Sequence, residues 1–355
     1  MNDIIKKKCF IVFLSVNKPD LLISAAKLVI AREVYKLFFT FAFKSNFFSM
    51  KKIVPKALKK GDKVGIVAPA GYVSAEQIKS AVKKVEKAGF VPVVAENILS
   101  RNGYLSGTDE ERVFQLNSMF KAPDIKAVVA ARGGYGCSRI LDMIDYDSLM
   151  QNPKILGGYS DITALICAVY KKTGLVTFHS SMLIPEDTAY TRNSMWGIFQ
   201  DGKKGYVIKP QNPDEAEVLN PGKTSGVLFG GNLTLLETLI GTKYDFSLFN
   251  KILFVEEINE PPYKVDRMLT HLKNSKDFSG LKGLIFGKMK GCEAQGENSL
   301  TLDYVINDFC KNLKIPVVRN FSFGHVGDRC TFPVGVRAEM DTGNFQVRLL
   351  ENCVE

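Results

Sequence analysis

The feature that most constrains this chain is the alternation of short apolar runs with amphipathic stretches between residues 63 and 180. Residues 125–130 are almost continuously apolar, which suits a strand covered by helices on both faces. Similar runs at 64–67, 90–94, 153–156 and 175–178 predict further strands. After the first of these, Ser74-Ala75-Glu76-Gln77 has the form of a capping box, and Ile78, Val82 and Val85 recur at helical spacing. Gly89 closes that helix. Thr108-Asp109-Glu110-Glu111 opens a second one, with Val113, Leu116 and Phe120 inward, and a short helix is expected over 138–144. Repeated strand–helix–strand units fold as an open parallel sheet. Such sheets bind ligands beyond the carboxyl ends of their strands.

Two segments at such ends carry chemistry. Leu156-Gly157-Gly158-Tyr159-Ser160-Asp161-Ile162-Thr163 sets a serine where a strand turns into a helix. The helix has its apolar face at Ile162, Leu165, Ile166 and Val169. As N-cap, Ser160 would lie beside free backbone N–H groups and the positive end of the helix dipole, where a nucleophilic hydroxyl is useful. Taken alone, the pattern is as well met by an ordinary capping serine. The second segment, Arg132-Gly133-Gly134-Tyr135-Gly136, follows the 125–130 strand without G-x-G-x-x-G spacing, so a dinucleotide site is poorly supported. Its glycines suit either a tight turn or a backbone N–H brought close to a reacting oxygen. Gly222-Lys223-Thr224 is no Walker A end, because Glu217 stands where the first glycine is required.

Charge and cysteine content narrow the function. Residues 1–50 carry eight Lys/Arg and three Asp/Glu, so half of the net charge of +10 arises there. The rest is spread without a basic stripe, which argues against nucleic-acid binding. That same segment holds 8 of the 24 phenylalanines, with apolar runs at 10–16 and 37–43. Neither run approaches the ~20 residues that span a bilayer, and no small-residue cleavage site follows Lys6-Lys7-Lys8. The segment is unlike the rest, and Met50 is expected to be the true start, with no stable membrane partner. Seven scattered cysteines without a C-x-x-C fit a reducing cytoplasm and argue against a disulfide framework. The expected organisation is an atypical extension over 1–50, a nucleophile-bearing domain over 51–205, a Pro/Gly-rich linker over 206–225, and a second mixed domain over 226–355. In the last, 252–255 and 284–286 read as strands, 264–272 and 302–313 as helices, and Asp341-Thr342-Gly343-Asn344 as a hairpin turn.

The chain has only three histidines. His179 ends an apolar strand and reads as a core residue, with lining of the cleft as the alternative, and His271 lies on a predicted helix. His325 sits in the glycine-flanked loop Gly324-His325-Val326-Gly327, which suits a base reaching across a cleft. No histidine pair has ligand spacing, so no metal is expected. The apolar strand 252–255 runs into Glu256-Glu257, and a carboxylate there suits the orientation of an imidazole. Serine, acid and histidine follow in the order Ser160, Glu256, His325.

Together these residues resemble the LD-carboxypeptidase (muramoyltetrapeptide carboxypeptidase) family, which includes the microcin C immunity hydrolases. The resemblance spans residues 52–350. It rests on Gly65-Ile66-Val67-Ala68-Pro69-Ala70, the Arg132 and Ser160 segments, Gly230-Gly231-Asn232-Leu233, Phe254-Val255-Glu256-Glu257, Pro262-Tyr263-Lys264-Val265-Asp266-Arg267 and Phe323-Gly324-His325. It implies a flavodoxin-like N-terminal domain, a smaller swivelling α/β domain, a site in the cleft between them, and a homodimer. It further implies Ser160 as nucleophile, His325 as general base and acid, and Glu256 as the orienting carboxylate. The oxyanion hole would come from the backbone N–H of Asp161 and of Gly133 or Gly134. Arg132 is the first choice for a substrate carboxylate and Arg267 the second, with Tyr135 and Asn232 at the substrate. The implied reaction is cytoplasmic removal of terminal D-Ala from murein tetrapeptides without a cofactor. A peptidyl-nucleotide antibiotic hydrolase and a non-catalytic ligand-binding protein are the alternatives. His179-Ser180-Ser181-Met182 departs from the family's usual His-Gly-Pro-Met, and Glu256-Glu257 from its usual Glu-Asp.

Overall fold

The computed structural model describes residues 51–355 except Gln295 and Glu297. The expectations for residues 1–50 lie outside the described residues. The first sheet has the order β12-β5-β4-β3-β1-β2, where β12 is Phe332–Val334. Its parallel strands are β1 (Lys63–Val67), β2 (Val91–Val94), β3 (Ile125–Ala130), β4 (Ile155–Gly158) and β5 (Thr177–His179). The order 2-1-3-4-5 is that of flavodoxin-like sheets, with its topological switch between β1 and β3. The capping box predicted at Ser74 is formed: Gln77 N–H donates to Ser74 Oγ, and the Gln77 side chain accepts from Ser74 N–H. It starts α1 (Ala75–Lys87), and an equivalent box at Thr108 and Glu111 starts α2 (Asp109–Lys121).

The second sheet has the order β6-β14-β13-β8-β9-β10-β11-β7. Its parallel centre is β8 (Lys223–Asn232), β9 (Lys251–Ile258), β10 (Gly283–Lys290) and β11 (Val317–Arg319). Antiparallel strands flank it: β13 (Arg337–Asp341), β14 (Gln346–Leu349), β6 (Val207–Ile208) and β7 (Glu217–Asn220). The segment expected as a linker, 206–225, is thus itself built into this sheet, with β6 and β7 on its two edges. Proline and glycine there punctuate short edge strands, where a missing ladder N–H is tolerated.

The chain also crosses back. β12 (Phe332–Val334) lies in the C-terminal part of the sequence yet pairs antiparallel with β5, and Phe332 faces His179. Phe332 stacks on Phe254 of β9, with centroids 4.7 Å apart and planes 18° from parallel. Phe323 meets both rings. These three phenylalanines are fully buried, each contributing roughly 1.5–3 kcal/mol through removal from water. They weld the two sheets together at the carboxyl end of β5, beside the serine segment.

Candidate active site

Ser160 follows β4 directly and has φ 62, in the left-handed region that a non-glycine residue rarely occupies. The helix α5 (Ile162–Thr173) begins two residues later, with Asp161, not Ser160, as its N-cap. The expected capping serine is therefore a strained elbow residue. Its hydroxyl is left partly exposed and is not spent on the helix: among the described residues Ser160 Oγ makes no side-chain hydrogen bond. Gly158 permits the turn, since a Cβ there would lie 2.8 Å from Ile162 Cγ2. A sharp strand-to-helix turn that presents a hydroxyl at the top of a sheet is the nucleophile-elbow geometry.

The glycine loop lies against this serine. A Cβ on Gly133 would meet Ser160 Cβ at 3.0 Å and Oγ at 3.1 Å, so only glycine leaves the hydroxyl room. The backbone N–H groups of Gly133, Gly134 and Asp161 have no acceptor among the described residues. Two buried side chains brace the arrangement. Asp161 Oδ2 accepts from Cys137 N–H at 2.8 Å and ties the elbow to the glycine loop; burial raises its carboxyl above the usual range. Arg112 Nη1 donates to Pro69 O (2.6 Å) and Gly136 O (2.9 Å), linking the ends of β1 and β3. Sequence reasoning missed Arg112, because an arginine on a helix at a glutamate-rich N-terminus reads as surface.

The second sheet delivers the acid. Asn232, last in β8, donates its N–H to Thr163 Oγ1 at 3.0 Å, in the first turn of α5. In register, Asn232 is paired with Glu256 on β9, so the carboxylate arrives near the elbow. Glu256 is fully buried, and its Oε2 lies 2.9 Å from His325 Nδ1. Neighbouring strand residues face opposite ways, and Glu257 serves elsewhere. It accepts from Asn232 Nδ2 (3.0 Å), Thr234 N–H and Oγ1 (both 2.8 Å), and its own following amide, Ile258 N–H (2.9 Å). Burial raises the Glu257 carboxyl, and these donors act against that. Asn232 also accepts from Leu235 N–H as a helix cap. Both ends of its amide are engaged within the protein.

His325 stands edge-on to Tyr159, the residue before the serine, with ring centroids 5.0 Å apart. Its loop is latched to the first domain. Thr191 Oγ1 donates to Gly327 O (2.7 Å) and accepts from Arg329 N–H (2.8 Å), and Thr188 Oγ1 donates to Asp328 Oδ1 (2.5 Å). Arg329 is buried, bonds Val326 O, Ser181 Oγ and Glu186 O, and lies 5.5 Å over the Tyr159 ring. His179 is buried beneath, against Tyr159, Phe254 and Phe323. Burial lowers its pKa to about 4, so it is neutral at neutral pH.

The expected recognition residues scatter. Arg132 is half-buried, donates from Nη1 to Tyr72 O at 3.2 Å, and forms no ion pair among the described residues, so its charge is available. Tyr135 is exposed and packs edge-on against Tyr104 at 5.7 Å. Arg267 is on the exposed face of α8 (Pro262–Asn274), where no contact links it to Ser160, Glu256 or His325 among the described residues. Trp196 is packed in the core between Phe90 (5.0 Å) and Phe199 (6.0 Å).

A half-exposed serine on a strained elbow, a buried acid hydrogen-bonded to an imidazole, and backbone donors without acceptors are the parts a serine hydrolase uses. The LD-carboxypeptidase N-terminal domain matches residues 64–180 and the LD-carboxypeptidase C-terminal domain residues 225–340. The chain belongs to the LD-carboxypeptidase family, and is a serine-type carboxypeptidase. It is 37% identical to a probable murein peptide carboxypeptidase of Bacillus subtilis, covering 81% of this chain and 91% of that one. It is 28% identical to the microcin C7 self-immunity protein MccF of Escherichia coli, over 82% of this chain and 94% of that one. The crystal structure of muramoyltetrapeptide carboxypeptidase from Oxalobacter formigenes superposes with a TM-score of 0.71 at 30% identity, covering 81% and 97% of the two chains.

Proposed function

We propose that this protein releases terminal D-Ala from murein tetrapeptides by hydrolysing the L,D-peptide bond, as a cytoplasmic step of peptidoglycan recycling. The observation that carries the reading is the combination of a strained, unspent Ser160 with the half-buried Glu256–His325 hydrogen bond. In this reading His325 Nδ1–H donates to Glu256, which leaves Nε2 to accept the Ser160 proton as Oγ attacks the carbonyl carbon. The oxyanion is received by the N–H of Asp161 and of Gly133 or Gly134, each donor worth about 3–4 kcal/mol in the transition state. His325 then protonates the leaving amine of D-Ala; water, deprotonated by the same imidazole, attacks the acyl carbon, and the C–Oγ bond breaks as Ser160 takes its proton back from His325. Arg132, unpaired and one residue from Gly133, is the cation we assign to the substrate's terminal carboxylate. Arg267, exposed on its helix and without a contact to Ser160, Glu256 or His325 among the described residues, is not preferred. The family resemblance further supports a homodimer, which analytical ultracentrifugation tests.

The MccF relationship supports a second reading, a peptidyl-nucleotide antibiotic as substrate. A purine needs an aromatic face. Buried Trp196 offers none, but the exposed Tyr104–Tyr135 pair does. Incubating the purified chain with a muramyl tetrapeptide and, separately, an aminoacyl-sulfamoyl adenosine, and following each by mass spectrometry, separates the two. Loss of one alanine by the wild type and not by Ser160→Ala supports the first reading; cleavage of the adenosine compound alone overturns it.

A further inference from the structure

Under the Glu256–His325 pair lies a box of rings: Tyr159, Phe254, Phe323 and the two imidazoles of His179 and His325. Two polar atoms in this box are buried without a hydrogen-bond partner among the described residues, Glu256 Oε1 and His179 Nδ1. Unpaired buried polar atoms are costly and rare, and each calls for an explanation. The two are placed together by the sheets. His179 is held on both sides of its strand, by Gly158 in β4 and Phe332 in β12. Its ring lies 5.5 Å from that of Phe254, and Glu256 is the next residue on the same face of β9. The charges that act on His179 are those of Glu256 and His325.

We propose that His179 is a positioning residue for the catalytic pair: its Nδ1–H donates to Glu256 Oε1 through one enclosed water. The carboxylate is then held from both ends, with Oε2 presented to His325. Its neutrality fits this role, because a cation at that point would oppose protonation of His325 during the reaction. The inference rests on the catalytic reading of Ser160, Glu256 and His325 given above, and extends it to a residue that sequence pattern alone places in the core.

Three substitutions test it. His179→Asn keeps an amide donor where Nδ1 stands, His179→Gln moves it to the Nε2 position, and His179→Leu removes it. Each is measured in the wild-type and Glu256→Gln backgrounds, by kcat and KM on the muramyl tetrapeptide and by the rate at which a fluorophosphonate labels Ser160. The expected result for His179→Leu is a roughly 10- to 100-fold loss in kcat and labelling rate with KM nearly unchanged. His179→Asn should recover most of that loss and His179→Gln should not. In Glu256→Gln, His179→Leu should cost less than about twofold more. Equal losses in both backgrounds, or equal rescue by Gln and Asn, overturn the proposal. If His179→Leu fails to fold, the Asn and Gln variants decide alone. A wild type that is labelled at Ser160 but leaves the tetrapeptide intact refutes the substrate, and the labelling rates still judge His179. No labelling of Ser160 overturns both.

Discussion

The two halves of the candidate active site are built by opposite means. On the Ser160 side, position comes from backbone: a serine at φ 62, glycines where a Cβ would collide, and amide groups left without acceptors. On the acid–base side it comes from side chains: Glu256 to His325, and threonines 188 and 191 latching the histidine loop. The difference teaches where each half is fragile. The first should fail when atoms are added, the second when polar atoms are removed.

The comparison is sharpest at Ser160 itself. Ser160→Ala should lower kcat by at least about 10⁴-fold, since the proposed mechanism gives the nucleophile to Ser160 alone. Ser160→Gly should be as inactive yet more stable, by about 0.5–1 kcal/mol, because glycine meets the left-handed conformation without a Cβ penalty. Urea titrations of the two variants check this. A Ser160→Gly protein less stable than Ser160→Ala would mean that the elbow stores no strain. Gly133→Ala comes next. Its new methyl would sit 3.0–3.1 Å from Ser160 Cβ and Oγ, displacing the hydroxyl and spoiling an oxyanion donor. A fall of about 10²–10³-fold in kcat is expected, with the melting temperature little changed because Gly133 does not need a positive φ. Unaltered kcat would remove Gly133 from the site.

Truncation should harm the other half. Thr191→Val removes the hydroxyl that joins Gly327 O and Arg329 N–H, leaving a buried donor unpaired near the histidine. The expected costs are about 1–3 kcal/mol in stability and roughly a tenfold drop in kcat, the latter corresponding to about 1.4 kcal/mol. Steady-state kinetics that show the stability loss with full kcat would make the latch structural only.

How much of this was legible in the sequence follows the same divide. The parallel sheet was readable because periodicity, capping boxes and apolar strands are local signals, and the strands found match those expected to within a few residues. Ser160, Glu256 and His325 could be proposed from sequence because each stands at a strand end or beside glycine. The elbow conformation was not, since nothing in Gly158-Tyr159-Ser160 distinguishes φ 62 from a capping serine. Nor was the role of 206–225, whose strands are short edge pieces given meaning only by partners far along the chain. Arg112, Arg329 and Thr191 were illegible for the same reason: most of their partners are backbone atoms supplied by the tertiary fold. Asn232 was expected at the substrate, yet its amide is spent on Glu257 and a helix cap, a use that only the register of β8 with β9 reveals.

The last expected effect leaves kcat aside, concerns stability alone, and probes the floor of the acid–base half. His179 titrates near 4 in the folded chain, because burial opposes its charge, against about 6.5 when unfolded. Between those values the unfolded chain binds the extra proton, so stability should fall as pH drops from 6.5 to 4 and be unaffected above 6.5. The whole window is worth about 3 kcal/mol. The buried carboxyls of Asp161 and Glu257 are shifted upward and so work in the opposite sense on acidification. They act alike in the wild type and in His179→Asn, and the difference between the two proteins isolates the imidazole. Urea unfolding at pH 7.5 and pH 4.5 should therefore show His179→Asn gaining on the wild type at the lower pH. Parallel losses in both would mean that His179 takes up its proton freely in the folded state, and that the ring box is open to water.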